Sequence, residues 1–175
     1  MAGESANRLN KRARKAVTDA LGGVPIESVV AFSHLSGGGA NSDGVVGGGS
    51  SILGSSYAVE RGINLDDPRL RSDLLQAWCA LTPNEMVFFK ASPWAVIPKP
   101  GPVVDRIDRA GTTLRWGDVT GQSTVSRMIH LEFPDGRLLL TSTLVRARLR
   151  RKNYSDEPDL FISAFGAAAT EVAAD

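Results

Sequence analysis

The segment Pro134-Asp135-Gly136 narrows the choice of folds more than any other part of this chain. Before it, Ile129, Leu131 and Phe133 alternate with His130 and Glu132. Such alternation puts apolar side chains on one side of an extended chain and polar ones on the other, as a half-buried strand requires. After it, residues 137–144 read as a second strand. Proline followed by aspartate and glycine supplies the tight connection, so residues 125–144 are expected to form an antiparallel hairpin.

The same reading gives further strands at residues 28–35, 103–107 and 112–116. It also gives a hairpin in which 78–81 and 86–90 flank Thr82-Pro83-Asn84-Glu85, whose proline and asparagine suit a β-turn. Residues 92–102 hold four prolines and are expected to be an extended loop. Residues 36–56 are dominated by glycine and serine, and ordering them costs too much backbone entropy for strong structure.

Three helices are expected. Over residues 5–21, Leu9, Ala13, Ala16, Val17, Ala20 and Leu21 recur at helical spacing, and Arg8, Lys11, Arg12, Arg14 and Lys15 fall opposite them. The apolar side chains are mostly small, which predicts weak packing, and Gly22-Gly23 supplies the stop. A short helix should begin at Asp66-Asp67-Pro68 and bury Leu70, Leu74 and Leu75. The last, capped by Ser155, should bury Leu160, Phe161, Ala164 and Phe165, stop at Gly166 and leave a fraying Ala-rich tail.

The chain is long enough, at 175 residues with 42% hydrophobic, for one well-cored domain. The division expected is a basic helix over residues 1–23, a single domain over 24–166 and a tail over 167–175. The fold class is mostly β (α+β).

Several of these segments resemble the bacterial pleckstrin-homology-like domains over about residues 75–165. Leu81-Thr82 followed by Met86-Val87-Phe88-Phe89 looks like that family's leucine–threonine, turn and apolar strand. Val103-Val104-Asp105-Arg106-Ile107 is similar to its strand with an inward isoleucine, residues 129–140 to its late hairpin, and 160–165 to its plugging helix. The resemblance implies a small bent antiparallel barrel with a C-terminal capping helix, joined here to the N-terminal amphipathic helix. It implies a binding scaffold for phosphoinositides, peptides or proteins, and no particular activity.

Chemistry is sparse. Cys79 is the one cysteine, so neither an intrachain disulfide nor a cysteine-rich zinc site can form. Between Trp78 and Ala80 it reads as a small core hydrophobe. His34 and His130 lie on separate elements, and His130, beside Glu132, reads as a solvated residue. The glycine-rich stretch lacks the Gly-Lys-Ser/Thr of a phosphate loop, and no serine stands in a Gly-x-Ser-x-Gly elbow. The expectation is a non-enzymatic chain without metal or cofactor.

Net charge is only +1, but the cations cluster. Arg8, Lys11, Arg12 and Lys15 form one helix face, and Arg146, Arg148 and Arg150 would share one side of a strand, turning Ala147 and Leu149 inward. These seven are the candidate anion- or partner-binding residues. A protein partner is expected first, a weak anionic membrane contact second, and an accessory role on nucleic acid through the basic helix third. No apolar run follows the basic N-terminal residues as a secretory signal needs. The expected location is therefore cytoplasmic, with peripheral attachment at the inner membrane surface as the variant.

Overall fold

The structure, a computed structural model, describes residues 3–32, 62–91, 100–120, 124–147 and 156–172, with the backbone alone for 3–10, 124, 146 and 147. The expected glycine-rich loop at 36–56, the Ser155 cap, Trp94, His34, Arg148 and Arg150 lie outside the described residues. Helix α1 (Gly3–Ala20) leads into strand β1 (Ser28–Ala31). Strands β2 (Ala77–Leu81), β3 (Glu85–Ala91), β4 (Pro100–Asp108), β5 (Thr113–Thr120), β6 (Thr124–Glu132) and β7 (Leu138–Ala147) follow, then helix α2 (Glu157–Phe165) and strand β8 (Ala169–Glu171).

The fold is mostly β with two helices, an α+β arrangement of two four-stranded sheets in the orders β1-β2-β3-β4 and β7-β6-β5-β8. All pairings are antiparallel except that of β8 with β5. No ladder joins the two sheets among the described residues, so these strands make a two-sheet stack and not the closed barrel the resemblance implies.

Alternation along the strands builds the core. Cys79 and Leu81 of β2, Met86 and Phe88 of β3, Leu114 of β5, Ile129 and Leu131 of β6 and Leu139 of β7 all meet between the sheets. Phe161 and Phe165 of α2 close this layer, with Phe161 edge-on to Phe32 at 6.0 Å. The intervening residues Trp78, Ala80, Val87 and Phe89 are also buried, because α1 covers the other side of the first sheet. Both faces of β2 and of the middle of β3 are thus apolar, which explains why residues 77–81 and 86–89 run without polar interruption.

Turn chemistry acts where the sequence places it. The Gly136 N–H donates to the Phe133 carbonyl at 2.9 Å, and the Phe133 N–H to the Arg137 carbonyl at 2.9 Å. Gly136 has φ +79°, so this is a three-residue loop closed by a left-handed glycine. At the other hairpin, the Thr82 N–H donates to the Glu85 carbonyl at 3.0 Å, and the Thr82 hydroxyl accepts from the Glu85 N–H at 3.0 Å.

Three expectations need correction. Residues 66–75 form one short 3-10 turn, Ser72–Leu74, and not a helix. Asp67 folds back onto the Arg69 N–H at 2.9 Å, and the Arg69 carbonyl and Arg71 N–H are taken by Leu138 of β7. The backbone groups a helix would need are therefore spent on the second sheet. Pro100 and Pro102 belong to β4 and not to a loop, which is tolerated because β4 is an edge strand. From Gly166 to Val172 the chain does not fray; a 3-10 turn leads into β8, and the Val172 N–H donates to the Trp116 carbonyl at 2.7 Å. Helix α1 lies against the first sheet through Val17, fully buried, and Ala13 and Leu21, nearly so.

Candidate binding surface

At 3.6 residues per turn, Ala13, Val17 and Leu21 fall on one line, and all three lie against the first sheet. Their small size lets the helix approach the broad side chains Trp78 and Phe89 beneath it. Lys11, Arg12 and Lys15 point the other way and are exposed. Lys15 pairs with Asp19 one turn on at 2.7 Å, a solvated contact that holds the lysine only loosely. Lys11 and Arg12 make no ion pair among the described residues. Arg8 continues the helix on its N-terminal side, described by its backbone alone.

Arg14 departs from that basic face. Its Nε and Nη2 donate to the two oxygens of Glu157 at 3.0 and 3.1 Å, and its Nη1 to the Ile26 carbonyl at 2.9 Å. Glu157 is itself buried and accepts from the Val29 N–H at 2.7 Å. One carboxylate thus ties α1, β1 and α2 together.

The second basic cluster is only partly placed. Arg146 stands opposite Val125 near the end of β7, an edge strand of the second sheet. A register shift between Val125 and Ser126 interrupts simple alternation there, leaving Leu144 exposed and Val145 buried.

Sequence reasoning missed a buried cation. Arg127 sends Nε and Nη2 to Asp118 at 2.7 and 2.9 Å and Nη1 to Asp159 of α2 at 2.6 Å. Its guanidinium lies 4.5 Å from the centre of the Trp116 ring. The signal was present: Arg127 shares the parity of Ile129, Leu131 and Phe133, which places it on the inward side of β6.

His130 is another correction, being half-buried and not solvated. Its Nε2 is shut off from solvent without a hydrogen-bond partner among the described residues, and burial, with Arg115 opposite on β5, holds its pKa below the ordinary value. Cys79 is fully buried, and burial pushes its thiol pKa far above the ordinary range, so it behaves as a core side chain.

A groove of about 670 Å³ opens where the turns at Asn84 and Gly111 meet Phe165. Its guanidinium, Arg109, is already engaged by Glu27 and the Thr82 carbonyl, and lies 5.4 Å from the Phe165 ring centre. That arrangement braces the end of α2 and leaves little charge for a ligand. Among the described residues no group of histidine, cysteine and acid side chains could hold a metal ion, and no helix is long and apolar enough to cross a membrane.

Comparison with family models, with curated proteins and with solved structures gave no match. The class defined by the coordinates is that of a two-sheet, mostly β α+β fold with one sheet roofed by an amphipathic helix.

Proposed function

We propose that this chain is a non-enzymatic binding module of pleckstrin-homology-like type, engaging an acidic protein surface through the outward face of α1. The observation that carries the reading is the division of labour on that helix. Ala13, Val17 and Leu21 are consumed by the first sheet, while Lys11, Arg12 and Lys15 stand exposed on the opposite side of the helix. The family reading draws on two antiparallel meanders followed by a C-terminal helix, the element order that the resemblance implies. Roles for Arg146, Arg148 and Arg150 in partner binding belong to the same proposal.

Contact through the docked helix is by charge alone, because its apolar line is unavailable for insertion into lipid. Each cation near an anionic surface contributes about 1 kcal/mol, so three give a weak, reversible and salt-sensitive association.

Deleting α1 is a poor test, since it would uncover Trp78, Val87 and Phe89. The sound comparison is the full chain against K11Q/R12Q/K15Q, measured for binding to polyglutamate, phosphatidylserine vesicles and duplex DNA at low and physiological salt. Salt-sensitive retention on polyglutamate that the triple variant loses is the expected result. Binding to DNA alone would favour the accessory nucleic-acid role, and binding to none of the three would end the reading.

A further inference from the structure

The layer between α1 and the first sheet is imperfect in one respect. Trp78 is 4% exposed, yet its Nε1–H has no hydrogen-bond partner among the described residues. A buried donor without an acceptor opposes the closed arrangement, and water would satisfy it at once if α1 lifted. Among the described side chains of the helix segment, Ala13, Val17 and Leu21 hold it down through apolar contact. The connection beneath them is Gly22-Gly23, both left-handed at φ 64° and 85°, a pair that can change conformation without a side-chain penalty.

Against this stands a polar tie. Arg14 binds Glu157 with two nitrogens and also the carbonyls of Ile26 and Glu27, on the far side of the glycine pair. Removing that tie leaves an 18-residue helix whose described apolar contacts come from three modest side chains, the kind of element that opens locally before the rest of a domain.

We propose that α1 is a hinged cover latched by Arg14 and Glu157, and that its docked apolar line is a concealed surface for an anionic bilayer. The inference rests on α1 being the contact element. Opened, the helix carries Ala13, Val17 and Leu21 on one side and Lys11, Arg12 and Lys15 on the other. That distribution lies flat at a lipid interface, with cations over the headgroups and the apolar line below them. Docked, the same helix offers charge only. The latch therefore sets which of two contacts the module makes, by a shift in population between closed and open helix.

Two variants of the full chain test this: Glu157→Gln, which weakens the latch without altering the charge of α1, and Arg14→Gln, which breaks it while removing a cation. Hydrogen exchange is followed without lipid, and co-sedimentation with phosphatidylcholine vesicles, with and without phosphatidylserine. Both variants should exchange faster across α1 while β3 stays protected, and both should bind phosphatidylserine vesicles several-fold better than wild type. For Arg14→Gln the gain would come despite the lost charge, an outcome that simple adsorption cannot give. Unchanged exchange in α1, or faster exchange without a gain in binding, would overturn the latch. Should Glu157→Gln lose protection throughout β3 as well, the Arg14→Gln result decides. Failure of K11Q/R12Q/K15Q to weaken any contact would instead sink the underlying role of α1, so the two failures are distinguishable.

Discussion

Arg127 of β6 is stacked on Trp116 of β5 with its guanidinium carbon 4.5 Å from the ring centre, and the same cation reaches Asp159 on α2. A charge that sequence convention would put outside is thus a fastener between a sheet and a helix. Removing it by Arg127→Ala takes away three charge-assisted bonds and the stack. Breaking a buried ion pair costs about 3–5 kcal/mol, but Asp118 and Asp159 are 37% and 41% exposed and regain water, so a loss near 2 kcal/mol is expected. Arg127→Lys should recover less than half of it, because an ammonium cannot make the bidentate contact. Urea denaturation of the three proteins checks this.

The aromatic layer gives a sharper contrast between neighbouring positions. Phe161 is fully buried, while Leu160 beside it, expected in the core from its spacing, is 42% exposed. Phe161→Ala should cost about 3–5 kcal/mol and bring the chain close to unfolding, whereas Leu160→Ala should change stability by less than about 0.5 kcal/mol. Thermal melts of both variants test whether α2 seals the core in solution. Equal effects would contradict the packing described.

His130 predicts a pH dependence with a definite sign. Its folded-state pKa lies below the ordinary 6.5, through burial first and Arg115 second, with Glu132 pulling weakly the other way. The unfolded chain therefore takes up a proton more readily than the folded one. Stability is complete above pH 6.5, falls as pH drops from there to the depressed folded pKa, and is then level with respect to this group. His130→Gln should flatten that decline. Denaturation midpoints from neutral to mildly acid pH, with proton NMR of the two histidines, provide the check.

Cys79 should be chemically silent in the native protein. The thiol is fully enclosed and its ionisation strongly suppressed by burial. A thiol-specific reagent is expected to label it only as fast as the first sheet opens, and at once in denaturant. Fast labelling under native conditions would mean that β2 is not sealed between its two apolar layers.

Gly136 is the residue in the late hairpin that cannot be exchanged freely. At φ +79° an alanine is strained, so Gly136→Ala should cost about 1 kcal/mol with the register of β6 and β7 retained. Differential scanning calorimetry reads the loss.

Both hairpins were legible because their determinants are local. Alternating apolar side chains fix which side of a strand is buried, and Thr82-Pro83-Asn84-Glu85 and Pro134-Asp135-Gly136 fix where the chain turns. The helix at residues 5–21 was legible for the same reason, along with Lys11, Arg12 and Lys15 on its outward side. Asp66-Asp67-Pro68 misled because its helix-start signals are also those of a turn, and Leu138 of β7 claimed the neighbouring backbone.

The sequence by itself determined the mostly β character, the two principal hairpins, the amphipathic first helix and the core identity of Cys79. Each depends on spacing within a few residues of chain. Only the tertiary structure decided that Arg14 leaves the basic face for Glu157, a partner 143 residues away. It also decided that Arg127, inward by its parity, meets Asp159 of α2, that His130 is half-buried and that the tail returns as β8. These outcomes turn on which groups are denied water once distant segments meet, and no local pattern encodes the identity of a distant neighbour.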